Sequence, residues 1–122
     1  MHKSGTELLT RFFLELRDRM EPYLAAIPQS ERTHKMYTEY WHVSWVIGGI
    51  ESLLHQLSCS DWVRHQDAVR SAWRHIVEYD SKYKLLEPYK GRTDLKQELA
   101  KFLTNPNTYE SEKKGNWYPS PN

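Results

Sequence analysis

SERTHKMYTEYWHVSWVIGGIESLLHQL, running from Ser30 to Leu57, decides how this chain folds. On a helix, Met36, Tyr40, Val43, Ile47, Ile50, Leu54 and Leu57 alternate at spacings of four and three and form one continuous apolar stripe. Val46 and Leu53 widen it. Tyr37, Trp41 and Trp45 recur every fourth residue and make a second stripe, well round the cylinder from the first. A helix that is apolar on more than one side is covered by neighbours on several sides. Ser30 is the expected N-cap, with Glu31 in the first turn and Pro28 disfavouring helix at Ile27. Unbroken, such a helix is about 40 Å long. Gly48-Gly49 is its weak point, at about 1 kcal/mol per glycine relative to alanine, and a bend is expected there.

Toward the N-terminus, Thr6 to about Met20 carries Leu9, Phe12, Phe13, Leu16 and Met20 on one face. Glu21-Pro22 is expected to interrupt that helix, leaving Tyr23, Leu24 and Ile27 in a short further turn or a kinked continuation. Toward the C-terminus, Ser60 caps a third helix, with Asp61 at its positive end. Trp62, Val69, Ala72, Trp73, Ile76 and Tyr83 share its inner face, with a bend near Asp80-Ser81. Pro88 and Gly91 close that region. Thr93-Asp94 opens a fourth helix, with Leu95, Leu99, Phe102 and Leu103 inward and Asn105-Pro106-Asn107 at its end. No segment alternates with the period of two that a strand requires. The expected fold is all-α: a four-helix bundle-like single domain with a long central helix over 1–104, and an irregular C-terminal tail over 105–122. Tyr109, Trp117 and Tyr118 are expected to dock that tail on the body or on a partner.

A length of 122 residues suits one domain with a real core. No apolar run approaches the roughly 20 residues of a transmembrane helix. Arg11, Glu15, Arg17 and Asp18 interrupt the first apolar pattern, which speaks against a cleavable signal peptide. Cys59 is the single cysteine, so no internal disulfide forms and a cytoplasmic, reducing setting is expected. A net charge of +1 with interleaved signs points to neither nucleic acid nor anionic lipid. Five tryptophans and eight tyrosines are many for this length and are the compositional oddity.

Three glutamate–histidine pairs stand at helical spacing: Glu39 with His42, Glu51 with His55, and His75 with Glu78. Two such pairs could serve a di-iron bundle. Here Glu39/His42 and Glu51/His55 lie on nearly opposite sides of one helix, about 18 Å apart along it. They cannot share a metal. His75 and Glu78 fall off the stripe of Val69, Trp73 and Ile76 and are expected to face water. No metal and no cofactor is therefore expected. Cys59, with His55 and His65 near in sequence, reads as a small residue in a helix–helix turn rather than a nucleophile, since nothing supplies a base and an oxyanion site.

Arg70-Ser-Ala-Trp-Arg-His75 resembles the signature of the helical HEPN ribonucleases and RNA-binding domains, an arginine followed at short range by a histidine. The resemblance implies a small all-α dimer that binds or cleaves RNA with Arg70 and His75. On a straight helix those two diverge by about 140°, so a break would be needed to bring them together. The residues themselves favour a different class: a non-catalytic binding module acting through contact with another protein or with a second copy of itself. Tyr37, Trp41, Trp45, Trp117 and Tyr118 are the expected contact residues, because tryptophan and tyrosine dominate binding hot spots.

Overall fold

The computed structural model describes residues 3–58 and 66–103. Its elements are α1 (Lys3–Ala25), a 3-10 turn (Gln29–Glu31), α2 (Glu39–Ser58), α3 (Gln66–Glu78), the short α4 (Asp80–Tyr83), a second 3-10 turn (Glu87–Tyr89) and α5 (Thr93–Leu103). No strand occurs among the described residues. Helix α2 packs on α1 and on α3, and α5 closes the ring by packing on both of those. The fold is thus an all-α, four-helix arrangement, with α4 an added turn beside α3.

The ring encloses an aromatic centre. Phe12 and Phe13 of α1 meet Trp73 of α3 at 6.3 and 6.2 Å between ring centroids, and Phe13 meets Phe102 of α5 at 6.2 Å. Leu9, Leu16, Met20, Val43, Val46, Ile50, Leu53, Val69, Ile76, Leu95 and Leu99 complete the core, in keeping with the inner faces read from periodicity. Leu85, Leu86 and Tyr89 join them from the link between α4 and α5.

Two boundaries differ from expectation. Helix α1 does not stop at Glu21-Pro22 but runs on to Ala25. Pro22 is exposed near the last turn, so it removes one hydrogen bond there, and Ala26 N–H still donates to Pro22 O at 3.0 Å. Ser30 does not cap α2. It lies in a 3-10 turn, and Arg32 reaches back to donate to the Leu24 and Ile27 carbonyls at 3.1 Å each. Those are acceptors near the end of α1, and a helix begun at Ser30 would have lost this cap. Thr38 is the true N-cap: its Oγ1 accepts from Trp41 N–H at 3.2 Å and donates to Lys35 O at 2.8 Å. Met36 and Tyr37 therefore precede the helix rather than belonging to it. At Gly48-Gly49 α2 continues as one helix, as expected.

Gly49 explains why α2 and α3 lie so close. A β-carbon there would stand 2.9 Å from Ala72 O, so only glycine admits the α3 backbone at this point. The bend expected near Asp80-Ser81 is present. Lys84 takes the left-handed conformation (φ 52°), and Asp80 Oδ1 accepts from Leu86 N–H at 2.7 Å, turning the chain inward. Side chains of α3 then hold the end of α5: Arg70 Nε donates to Leu103 O at 2.7 Å, and Gln66 Nε2 to Phe102 O at 3.3 Å. The expected cap at Ser60-Asp61, Trp62, Cys59 and the tail beyond 104 lie outside the described residues.

Candidate functional site

Capping by Thr38 places Tyr37 just ahead of α2 with φ 67°. A tyrosine with positive φ is uncommon and strained, and here the residue is 74% exposed. From it an aromatic row runs along the outer side of α2. Tyr37 meets Trp41 edge to face at 5.4 Å, Trp41 meets Trp45 at 4.4 Å, and Trp45 meets His75 of α3 at 4.5 Å. A branch leaves Trp41 through His42 (5.4 Å) to Tyr79 (4.9 Å). Trp45 remains 39% exposed and Met36, beside Tyr37, 60%. Stacking fixes the rings in one arrangement while leaving their outer faces in water.

Below Trp45 the row opens into a groove of about 400 Å³ between α2 and α3. Ser44, Gly48 and Ser52, one helical turn apart, form one wall, and Ala68 and Ser71 the other. Gly48 differs from its neighbour Gly49: a β-carbon there would meet nothing within 4 Å. Its cost of about 1 kcal/mol in an exposed helix interior serves no packing among the described residues.

Charge near the row is balanced. At the start of α2, Glu39 pairs with Lys82 and accepts from Tyr83 O–H at 3.2 Å. The Lys82 hydrogen bond holds the Glu39 carboxyl below its ordinary value. Burial, reinforced by the Glu39 charge, pushes the Tyr83 hydroxyl well above the ordinary tyrosine range, and burial likewise raises Tyr79. On the opposite side, Tyr89 O–H donates to Glu15 at 2.7 Å, and burial followed by that bond pushes Tyr89 up to about 12.

The expected site residues are placed as follows. Trp41 and Trp45 lie together on α2, and Tyr37 joins them from the preceding loop. Trp117, Tyr118 and Tyr109 fall outside the described residues, as does Cys59. His75 is not turned to water as expected. It is half-buried against Trp45, because the small residues of α2 let α3 come close enough for the rings to stack. Arg70 is committed to the Leu103 carbonyl on α5, so Arg70 and His75 serve opposite neighbours and do not converge. The glutamate–histidine pairs are engaged elsewhere: Glu39 pairs with Lys82 and Tyr83, the His42 ring packs on Tyr79, and Glu51 is exposed. Among the described residues, no three metal-ligating side chains gather.

Periodicity on α2 alone missed His42, His75 and Tyr79 as members of the row, since their contacts cross between helices. The one local hint was Thr38 three residues before Trp41, the spacing of a cap to the N–H it accepts. No known family model, curated protein or solved structure matches this chain.

Proposed function

We propose that this chain is a non-catalytic helical binding module, acting through protein–protein contact at the Tyr37–Trp41–Trp45–His75 surface. The observation that carries the reading is a stacked aromatic row left open to solvent and headed by a strained, largely exposed tyrosine. An aromatic residue buries about 150–250 Å² when covered, and covering apolar area is worth roughly 25 cal/mol/Å². Rigid, pre-stacked rings also lose little conformational entropy on binding. Strain at an exposed position fits a contact residue better than a structural one.

Balanced charge fits a protein partner better than a nucleic acid, whose phosphates call for a basic surface. Among the described residues no helix is long and apolar enough to cross a membrane. A cytoplasmic setting, where a single cysteine stays reduced, belongs to the same proposal. The HEPN-like alternative draws no support from the side chains, because Arg70 and His75 point to different helices.

Site-specific photo-crosslinking in the cells that make the protein tests the reading. A photoreactive phenylalanine analogue at Tyr37 is expected to give a discrete protein adduct, and the same group at exposed Glu21 on α1 none. No adduct at Tyr37, or equal labelling at both positions, would refute it.

A further inference from the structure

Helix α3 is gripped by α5 on one side and lines a groove on another. Arg70 and Gln66 hold the Leu103 and Phe102 carbonyls, so the chain leaves α5 against the first half of α3. Round the same helix, Ala68, Ser71 and His75 face α2 across the groove, with Trp45 at one end of it. The two helices run antiparallel there, since Trp45 meets His75 and Gly49 approaches Ala72, which sets Ser52 beside Ala68 near the start of α3. At that end two buried amide oxygens have no hydrogen-bond partner among the described residues: Gln66 Oε1 and, one turn beyond Ser52, Gln56 Oε1. Gln66 gives its amide N–H to Phe102 O, so its oxygen stands beside the point where residues 104–122 begin. A buried acceptor left unmet is costly, and a backbone N–H of a chain entering the groove would satisfy it.

We infer that the groove holds the chain's own C-terminal segment, with Trp117 and Tyr118 seated between α2 and α3 against Trp45 and His75. Reach selects this occupant. Trp117 lies 14 residues beyond Leu103. The way from the start of α3 to Trp45 is nine residues of helix and one helix width, or about 17 Å in all. A flexible chain of that length has a root-mean-square span of about 20 Å. A tether matched to its span in this way gives an effective concentration in the millimolar range, an advantage that no separate molecule has.

Chemistry agrees with reach. Tyr109, Trp117 and Tyr118 are the only large apolar residues of the segment, and two of them are adjacent. A groove of about 400 Å³, walled by small side chains and ended by Trp45 and His75, suits flat rings stacking on rings. The seat takes the Trp45 end of the aromatic row and leaves exposed Tyr37 and Met36 uncovered. A partner bound at Tyr37 and the seated segment therefore coexist, and a partner that reaches Trp45 has to displace it.

Paramagnetic relaxation in the full chain tests the seat. In a Cys59→Ser background, a nitroxide on Asn122→Cys is expected to abolish the amide signals of Gly48, Ser52 and Ser71 and to spare those of Leu14 and Glu21, exposed on α1. Trp117→Ala is expected to restore the lost signals. So is Ser71→Leu, which fills the groove from an exposed position on α3 and leaves the segment itself unaltered. Unchanged signals of Phe13 and Ile50 show in each case that the core is intact. Signals at Gly48 and Ser71 that survive the nitroxide, broadening spread evenly over the surface, or broadening that outlasts both substitutions overturns the inference. Broadening passed between a nitroxide-bearing chain and a separate isotope-labelled one puts a second copy's segment in the groove, and overturns it as a contact within one chain. The adduct at Tyr37 stands or falls apart from all of these outcomes.

Discussion

Alanine at Gly49 and alanine at Gly48 are expected to change stability in opposite directions, though the residues are adjacent in one helix. At Gly49 the new β-carbon would stand 2.9 Å from Ala72 O, a backbone atom, and 3.7 Å from His75 Cβ. Ordinary contact begins near 3.4 Å, so a few tenths of an ångström must be found between α2 and α3. The Ala72 carbonyl cannot yield alone, because Val69, Trp73 and Ile76 around it are buried in the core. Overpacking of this kind costs about 1–3 kcal/mol. Helix propensity returns about 1 kcal/mol on exchanging glycine for alanine. The balance is a destabilisation of about 1 kcal/mol and a melting temperature lowered by about 4 °C.

At Gly48 an added β-carbon would meet nothing within 4 Å among the described residues, so only the propensity gain remains. Gly48→Ala should therefore stabilise by about 1 kcal/mol. Urea denaturation measures both, with an unchanged m-value showing that the change is one of stability. Equal stability of the two variants would refute the close α2–α3 contact.

Two further outcomes follow from the side-chain network. Arg70→Ala should destabilise by about 1–2 kcal/mol, because it strips a charged donor from the part-buried Leu103 carbonyl. Hydrogen exchange should quicken in the last turn of α5 and not in α1, and unchanged exchange there would contradict the role. Glu39→Gln should lower stability at neutral pH by less than about 1 kcal/mol, since Glu39 and Lys82 are half exposed. The carboxyl lies below its ordinary value of 4.5 in the folded state, so its contribution is present above that pH and fades as pH falls through the folded value. Stability curves of variant and wild type should accordingly converge in acid. A gap that persists there would mean the pairing is not electrostatic.

The aromatic row shows how far periodicity reaches. Trp41 and Trp45 share a face because four residues make just over one turn of helix, which is local geometry and legible in the chain. Tyr37 continues the same spacing, yet its position depends on Thr33, Lys35 and Thr38 folding the backbone into a turn. His75 is a sharper case. Its spacing on α3 places it off the core stripe, and only the approach of α3 over Gly49 turns that position into a wall against Trp45.

Which faces of α1, α3 and α5 turn inward was legible in the sequence, because burying Leu9, Phe13, Ile76 and Phe102 requires only the helical period and a polar opposite face, whereas on α2 the buried line runs through Val43, Val46, Ile50, Leu53 and Leu57 and leaves Met36 exposed. All-α class and the bend at Asp80 follow from the same local rules. Where the helices begin and end was decided by tertiary structure. Arg32 can cap α1 only if the chain after Pro28 leaves the helix, and Pro22 is tolerated because a single lost bond is outweighed by continued packing. The meaning of Gly48-Gly49 was decided there too. Both are breakers by propensity, but one is held against a carbonyl and the other faces open space, a difference set by what lies across the gap rather than by either residue.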